Sequence, residues 1–407
     1  MYDLQHRKAK KTVAIRTADG KNPGRQKISV KQLKSDFLFG IGAFDVMAYC
    51  GSQNKEDRDF FKDRVDKALD LFNFMTVPMY WGIYEPKEGR TREEEYLKAA
   101  RFLKQKGVTL KGHPLCWHTV CANWLLEYDD AAIYQKQMDR IRREVSRFKG
   151  LIDAWDVINE TVIMPVFDKY DNAVTRICNS YGRVPLIKAV FEEASENNPG
   201  ATLILNDFNT TEQYERVIGE CLDAGVKINT IGIQSHQHQG YWGREKILDV
   251  LDRFSKFNLP IHFTENTMVS GDLIPSYIED LNDWQVSDWP STMEGEERQC
   301  REMEEMYRIL FADSHVQAIT WWDFADGAWL GAPSGLIRKD NSPKPAYHKL
   351  KEMICSEWNT AYETQTDENG MFVLEGFTGT YELTLQGKKV PYVLTSDDQK
   401  NKGVIRL

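Results

Sequence analysis

The sequence predicts an α/β protein built on a (β/α)8 barrel, the TIM-barrel architecture, with a small β-domain assembled from its two ends. Three observations lead there. Apolar runs of strand length alternate with stretches of helical periodicity between residues 36 and 358, and eight such runs can be counted. The later runs end in polar or aromatic residues, as strands do when their C-terminal ends converge on a site. Short alternating segments with β-branched and aromatic residues lie outside this region at both ends of the chain.

In chain order, residues 1–35 carry TVAIRT and QKISVKQ on either side of the turn-rich ADGKNPG, which predicts a hairpin-like pair. DFLFGIGAF opens the barrel region with a buried strand, and a helix is expected over 56–71. Further strands are expected at 72–78, 108–117, 152–158, 202–206, 230–235, 260–264 and 316–321. These runs are apolar with little alternation, the pattern of strands covered on both faces. Helices are expected at 94–106, 131–148, 183–196, 211–224, 244–257 and 295–311, with a last one at 344–354 after SPKPAY. The span of roughly 320 residues suits such a barrel. A doubly wound open sheet is the rival, but GIGAFDVMAYC is a poor match to the Gly-rich loop expected after its first strand. In the tail, 359–407, GMFVLEGF, GTYELTLQG and KVPYVLTSD alternate between Gly and Asp turns. A few short strands are marginal alone, so they are expected to pair with the N-terminal ones.

Composition sets the class. With 28% charged and 42% hydrophobic residues, the 407-residue chain is an ordinary globular protein, and its net charge of −9 argues against nucleic acid or an anionic membrane as partner. No apolar run is long enough to span a bilayer. The seven cysteines are scattered and odd in number, so neither a disulfide framework nor a zinc site is expected, and no cofactor is implied. MYDLQHRKAKK has no apolar signal region. The expectation is a cytoplasmic protein, or an extracellular or periplasmic one whose export signal has been removed.

The strand ends carry the chemistry. LIDAWDVINE ends in Asn159 and Glu160, and LPIHFTE ends in Glu265. Two carboxylates delivered this way suggest the acid/base and nucleophile of a retaining glycosidase, with a separation of ~5–5.5 Å. Around them the third strand gives His113, Trp117 and His118, the fifth Asn206 and Asp207, the sixth Gln234, His236 and His238, and the eighth Trp321, Trp322, Asp326 and Trp329. Neutral donors and acceptors with aromatic faces suit a hydroxyl-rich ligand. The histidines form no short-spaced metal cluster.

From 36 to 353 the chain resembles glycoside hydrolase family 10, known for endo-1,4-β-xylanases. WDVINE, HFTEN, HPLCWH, GIQSH, ITWWDFADGAW and PKPAY match that family's motifs in order. The resemblance implies Glu160 as proton donor and Glu265 as nucleophile. It implies that Asn159 binds the sugar 2-OH or orients the nucleophile, that His236 bonds Glu265, and that Gln234 fixes that neighbourhood. His113 and Trp117 would line the −1 sugar site, walled by Trp322 and Trp329, with His118 and Asn206 also meeting substrate. A xylan or xylo-oligosaccharide substrate is implied.

Three departures stand out. The second-strand segment is FNFMTVPMYW, so Thr76, Val77 and Tyr80 fall where the family's Glu, Asn and Lys hold the −2 sugar. The nucleophile is followed by Asn266 and Thr267 in place of Leu-Asp, and Thr267 can hydrogen-bond but adds no negative charge beside His236. Residues 268–296 are long enough for a lid, a subsite wall or structured padding. An exo-acting β-xylosidase, activity on another plant β-glycan, and an inactive carbohydrate-binding barrel stay open.

Overall fold

The computed structural model describes residues 3–406. Two strands precede the barrel, β1 (Lys8–Arg16) and β2 (Lys27–Ser35). The next eight are β3 (Leu38–Gly42), β4 (Phe74–Pro78), β5 (Thr109–His113), β6 (Ala154–Asn159), β7 (Thr202–Asp207), β8 (Thr230–Gln237), β9 (Ile261–Met268) and β10 (Val316–Trp321). They pair in parallel and in sequence, and β10 closes on β3. The expected (β/α)8 architecture is therefore the observed one. Strand β5 stops at His113, short of the expected Trp117, because Pro114 has no N–H to offer the ladder. Strand β9 runs on to Met268, past the expected end at 264.

Each helix between strands follows from its sequence. Asp129 caps the helix Asp130–Phe148 by accepting from the Ala132 N–H at 2.8 Å. Its Ile133, Ile141, Val145 and Phe148 are fully buried against the barrel, each contributing about 1.5–3 kcal/mol. The helix expected over 56–71 is observed as Lys55–Leu69, started by Asn54, whose side chain accepts from the Asp57 N–H, and a further short helix, Phe44–Gly51, precedes it. An additional helix, Ala173–Tyr181, follows β6.

The chain ends with β11 (Ala361–Gln365), β12 (Met371–Phe377), β13 (Gly379–Leu385), β14 (Lys388–Leu394) and β15 (Val404–Arg406). The expected pairing of the two ends is present, but the N-terminal hairpin is not. Strand β1 sits between β12 and β15, while β2 sits between β11 and β13. Residues 17–26 carry the chain from one sheet to the other, and both sheets bury their alternate residues in one core that includes Val13, Ile15, Ile28, Val30, Phe372 and Leu383. Met1, Tyr2 and Leu407 of the terminal segments lie outside the described residues.

These sheets dock on the bottom of the barrel. Arg7 donates to the backbone oxygens of Phe311, Asp313 and Val316, the last being the first residue of β10. The Lys34 ammonium donates to the Gly107 carbonyl, just ahead of β5. Both contacts are at strand N-termini, the end opposite the carboxyl groups. A groove of about 650 Å³ at the sheet edge, lined by Lys8, Tyr362 and Val373, contains none of the expected site residues.

Candidate active site

Glu160 follows β6 and takes φ 58°, the left-handed region that costs a non-glycine residue roughly 1–2 kcal/mol. Its N–H, bonded to the Asn206 carbonyl at 2.9 Å, holds it there. The carboxyl is nearly enclosed, its side chain 15% exposed. Trp117 Nε1 donates to Oε2 at 2.7 Å, and the Gln234 and Asn159 amides each lie 3.3 Å from Oε1. Burial dominates its titration. With the negative charges of Glu265 and Asp207 nearby it pushes the pKa up to about 8, against the opposing hydrogen bonds from Trp117 and Gln234.

Glu265 lies inside β9, also buried, yet its carboxyl is held below the ordinary value. Burial alone would raise it, but the electrostatic pull of His113, the His236 hydrogen bond and the Lys111 charge outweigh that. Asn206 Nδ2 donates to Glu265 Oε1 at 2.8 Å, and His236 Nε2 lies 3.3 Å from Oε2. One carboxyl is thus kept protonated and the other ionised near neutral pH.

A chain of amides joins the two. Asn159 Oδ1 accepts from Asn206 Nδ2 at 2.8 Å and from Gln234 Nε2 at 3.1 Å. Thr264 donates to Asn206 Oδ1 at 2.7 Å, which fixes the amide's orientation. Gly232 is required opposite it, since a Cβ there would sit 2.3 Å from Asn206 Oδ1. Asn159 itself faces Glu160, and Asn206 is the amide that touches Glu265.

The remaining expected residues surround this pair. The Tyr80 ring packs against His113 and Trp117 at 5.9 and 5.6 Å, and Trp322 meets His113 edge-on at 5.3 Å. Trp329 lies over His236 at 4.4 Å. His118 Nε2 is 3.7 Å from Glu160 Oε2 and packs on Phe167, with burial lowering its pKa to about 4. The residues to which the sequence assigned catalytic or sugar-binding roles thus lie in one network. Where the −2 Glu, Asn and Lys would be, Thr76 and Val77 are buried and Tyr80 presents its ring.

Thr267 holds the position of the missing aspartate. Its hydroxyl lies 3.1 Å from His236 Nδ1 and 3.2 Å from His238 Nδ1. Two supporting residues were missed. Asp156 Oδ2 contacts His113 Nδ1 at 2.7 Å and Lys111 Nζ at 2.6 Å, with both acid and amine fully buried in the barrel. Their signal was a charge inside each apolar strand run. Among the described residues no group of His, Cys, Asp and Glu could hold a metal ion.

Residues 268–292 form a small core with the loop after β10, in which Val269, Ile274 and Trp289 pack with Ala332 and Trp284 lies against them. Trp289 bonds the Asp272 carbonyl and approaches His238 at 6.1 Å.

The chain is similar to known proteins over most of its length. An endo-1,4-beta-xylanase/feruloyl esterase of Xylanibacter ruminicola is 27% identical over 69% of this chain and 40% of its own. The anti-sigma-I factor RsgI6 of Acetivibrio thermocellus is 23% identical over 92% of this chain and 45% of its own. The chain therefore spans less than half the length of these two relatives. A crystal structure of xylanase 10B from Thermotoga petrophila RKU-1 in complex with xylobiose shares the fold, with a TM-score of 0.64 and 21% identity over 79% of this chain and 95% of that one. The model of glycosyl hydrolase family 10 matches residues 46–353, about three quarters of the sequence, and the chain belongs to that family.

Proposed function

We propose that this protein is a retaining β-glycoside hydrolase acting on β-1,4-linked xylan or xylo-oligosaccharides. The observation that carries it is the pair of enclosed carboxyls, Glu160 and Glu265, linked through the Asn159 and Asn206 amides, with burial pushing Glu160 up to about 8 while His113 and His236 hold Glu265 down. The family and the relatives named as xylanases support the substrate.

Glu265, ionised and oriented by Asn206, attacks the anomeric carbon while the Glu160 carboxyl gives its proton to the leaving oxygen. Glu160, now ionised, takes a proton from water, which displaces Glu265 from the sugar with net retention. Trp117 and Gln234 keep the Glu160 carboxyl aimed through both steps. Tyr80, with Trp322 and Trp329, offers apolar ring faces to the sugar, and the absence of the usual −2 Glu, Asn and Lys removes polar grip from the unit beyond it.

A second reading is favoured by the match to a protein named as an anti-sigma factor, which extends over nearly the whole chain. In it the barrel binds carbohydrate without turning it over and serves regulation. A product time course on linear xylan, glucuronoarabinoxylan and short xylo-oligosaccharides, with Glu265→Ala alongside, separates the two. Oligomers or xylose released by the wild type and lost in the variant support the hydrolase. Tight binding with no products supports the regulatory barrel.

A further inference from the structure

Lys169, in the loop after β6, has its ammonium 2.6 Å from Asp280 Oδ2 and 2.7 Å from Asp283 Oδ1. Those aspartates belong to the 268–292 excursion after β9. In the barrel, β6 and β9 are separated by β7 and β8, so the ion pair joins two loops that are not neighbours on the rim. The excursion reaches across on fixed supports. The Ile274 N–H bonds the His238 carbonyl at 2.9 Å, and the Gln239 amide donates to the carbonyls of Pro275 and Ile278. It therefore passes over the end of β8 before meeting Lys169.

This sector has one chemical identity. Glu160 closes β6 and delivers its proton to the leaving oxygen, while Tyr80, His113 and Trp322 occupy the ends of β4, β5 and β10 on the other side. The sector over β7 and β8 is then where the departing sugar lies. Phe208 at the end of β7 and Tyr170 beside Lys169 are each 47% exposed there. Phe167 packs at a tilt on His118, and Tyr170 meets Phe167 edge-on at 4.8 Å, so the loop bearing Lys169 is anchored next to the acid.

We propose that the Lys169–Asp280/Asp283 clasp closes the leaving-group end of the cleft and restricts cleavage to bonds near the reducing end of short xylo-oligosaccharides. It rests on the hydrolase reading and deepens it by naming the substrate length. An open groove would let a polymer run through in both directions. With the clasp across it, only a short departing segment fits beneath, and internal bonds of a long chain are excluded.

The test uses xylohexaose labelled at its reducing end and polymeric xylan, with wild type, Lys169→Ala and the charge-swapped Lys169→Glu/Asp280→Lys/Asp283→Lys. Wild type is expected to release the label in one- and two-sugar products. Lys169→Ala should shift the label to longer products and raise the polymer-to-oligomer rate ratio roughly two- to fivefold, the scale of a partly exposed ion pair. High salt should move wild type the same way, and the charge swap should restore the wild-type pattern. All three side chains are partly exposed, so the fold survives the change. A wild type that cuts internal bonds freely, or a pattern unchanged in Lys169→Ala, would overturn the clasp while leaving the hydrolase standing. No cleavage of any xylo-oligosaccharide by any form would overturn both.

Discussion

Replacing Glu160 by Gln should make the protein progressively more stable relative to wild type as pH rises. The folded state holds this carboxyl at about 8 against 4.5 for the free group, chiefly through burial. Its proton is retained in the fold and lost in the unfolded chain. Wild type is thus unpenalised below pH 4.5, loses stability as pH rises towards 8, and is level above that. Across the full interval the ceiling is about 5 kcal/mol, and between about pH 5 and pH 7 the loss is about 2 kcal/mol. The amide of the Glu160→Gln variant does not titrate. It introduces a constant cost instead, because both Glu160 oxygens accept hydrogen bonds and an NH2 group must now face a donor, worth about 1–3 kcal/mol. The informative quantity is therefore the difference between the two proteins at each pH. Urea-denaturation free energies at about pH 5, 6 and 7 should show the variant gaining on wild type by about 2 kcal/mol overall. A difference that stays constant would refute the burial argument for Glu160 and, with it, the assignment of the acid.

Further outcomes follow from the same geometry. The pH profile of kcat/KM should be a bell whose basic limb lies near 8, set by Glu160, with an acid limb below 4.5, set by Glu265. Asn206→Ala removes the donor to Glu265 Oε1 and should lower kcat about 10- to 100-fold with a smaller change in KM. Thr267→Val removes the hydroxyl between His236 and His238 and should lower kcat about 3- to 10-fold, while Thr267→Ser retains wild-type activity. Lys111→Met leaves Asp156 buried without its cation and should cost about 3–5 kcal/mol of stability, seen as an earlier denaturation midpoint.

Much of this was legible because a barrel converts order into position. Once eight buried strands alternate with helices, every strand C-terminus must meet the others, so Glu160, Asn206, His236 and Glu265 come together whatever the loops do. Lys111 and Asp156 were passed over because a charge in a strand ordinarily faces solvent, and only the closed barrel turns it inward to pair. The hairpin expected from TVAIRT and QKISVKQ failed for a different reason. Both strands have the right alternation, but residues 17–26 cross to a second sheet, and nothing local distinguishes such a crossing from a wide turn. The contact between Lys169 and Asp283 joins residues 114 positions apart through exposed side chains, which leaves no periodic trace.

The proposed mechanism turns on a covalent bond between Glu265 and the sugar. Incubation with a 2-deoxy-2-fluoro-β-xylobioside bearing a good leaving group, followed by mass spectrometry of the intact protein and its peptides, tests it directly. The expected result is one added fluoroxylobiosyl unit, carried by the peptide containing Glu265 and absent from Glu265→Ala. A label on Glu160, or steady turnover of natural substrate with inversion and no label at all, would contradict it.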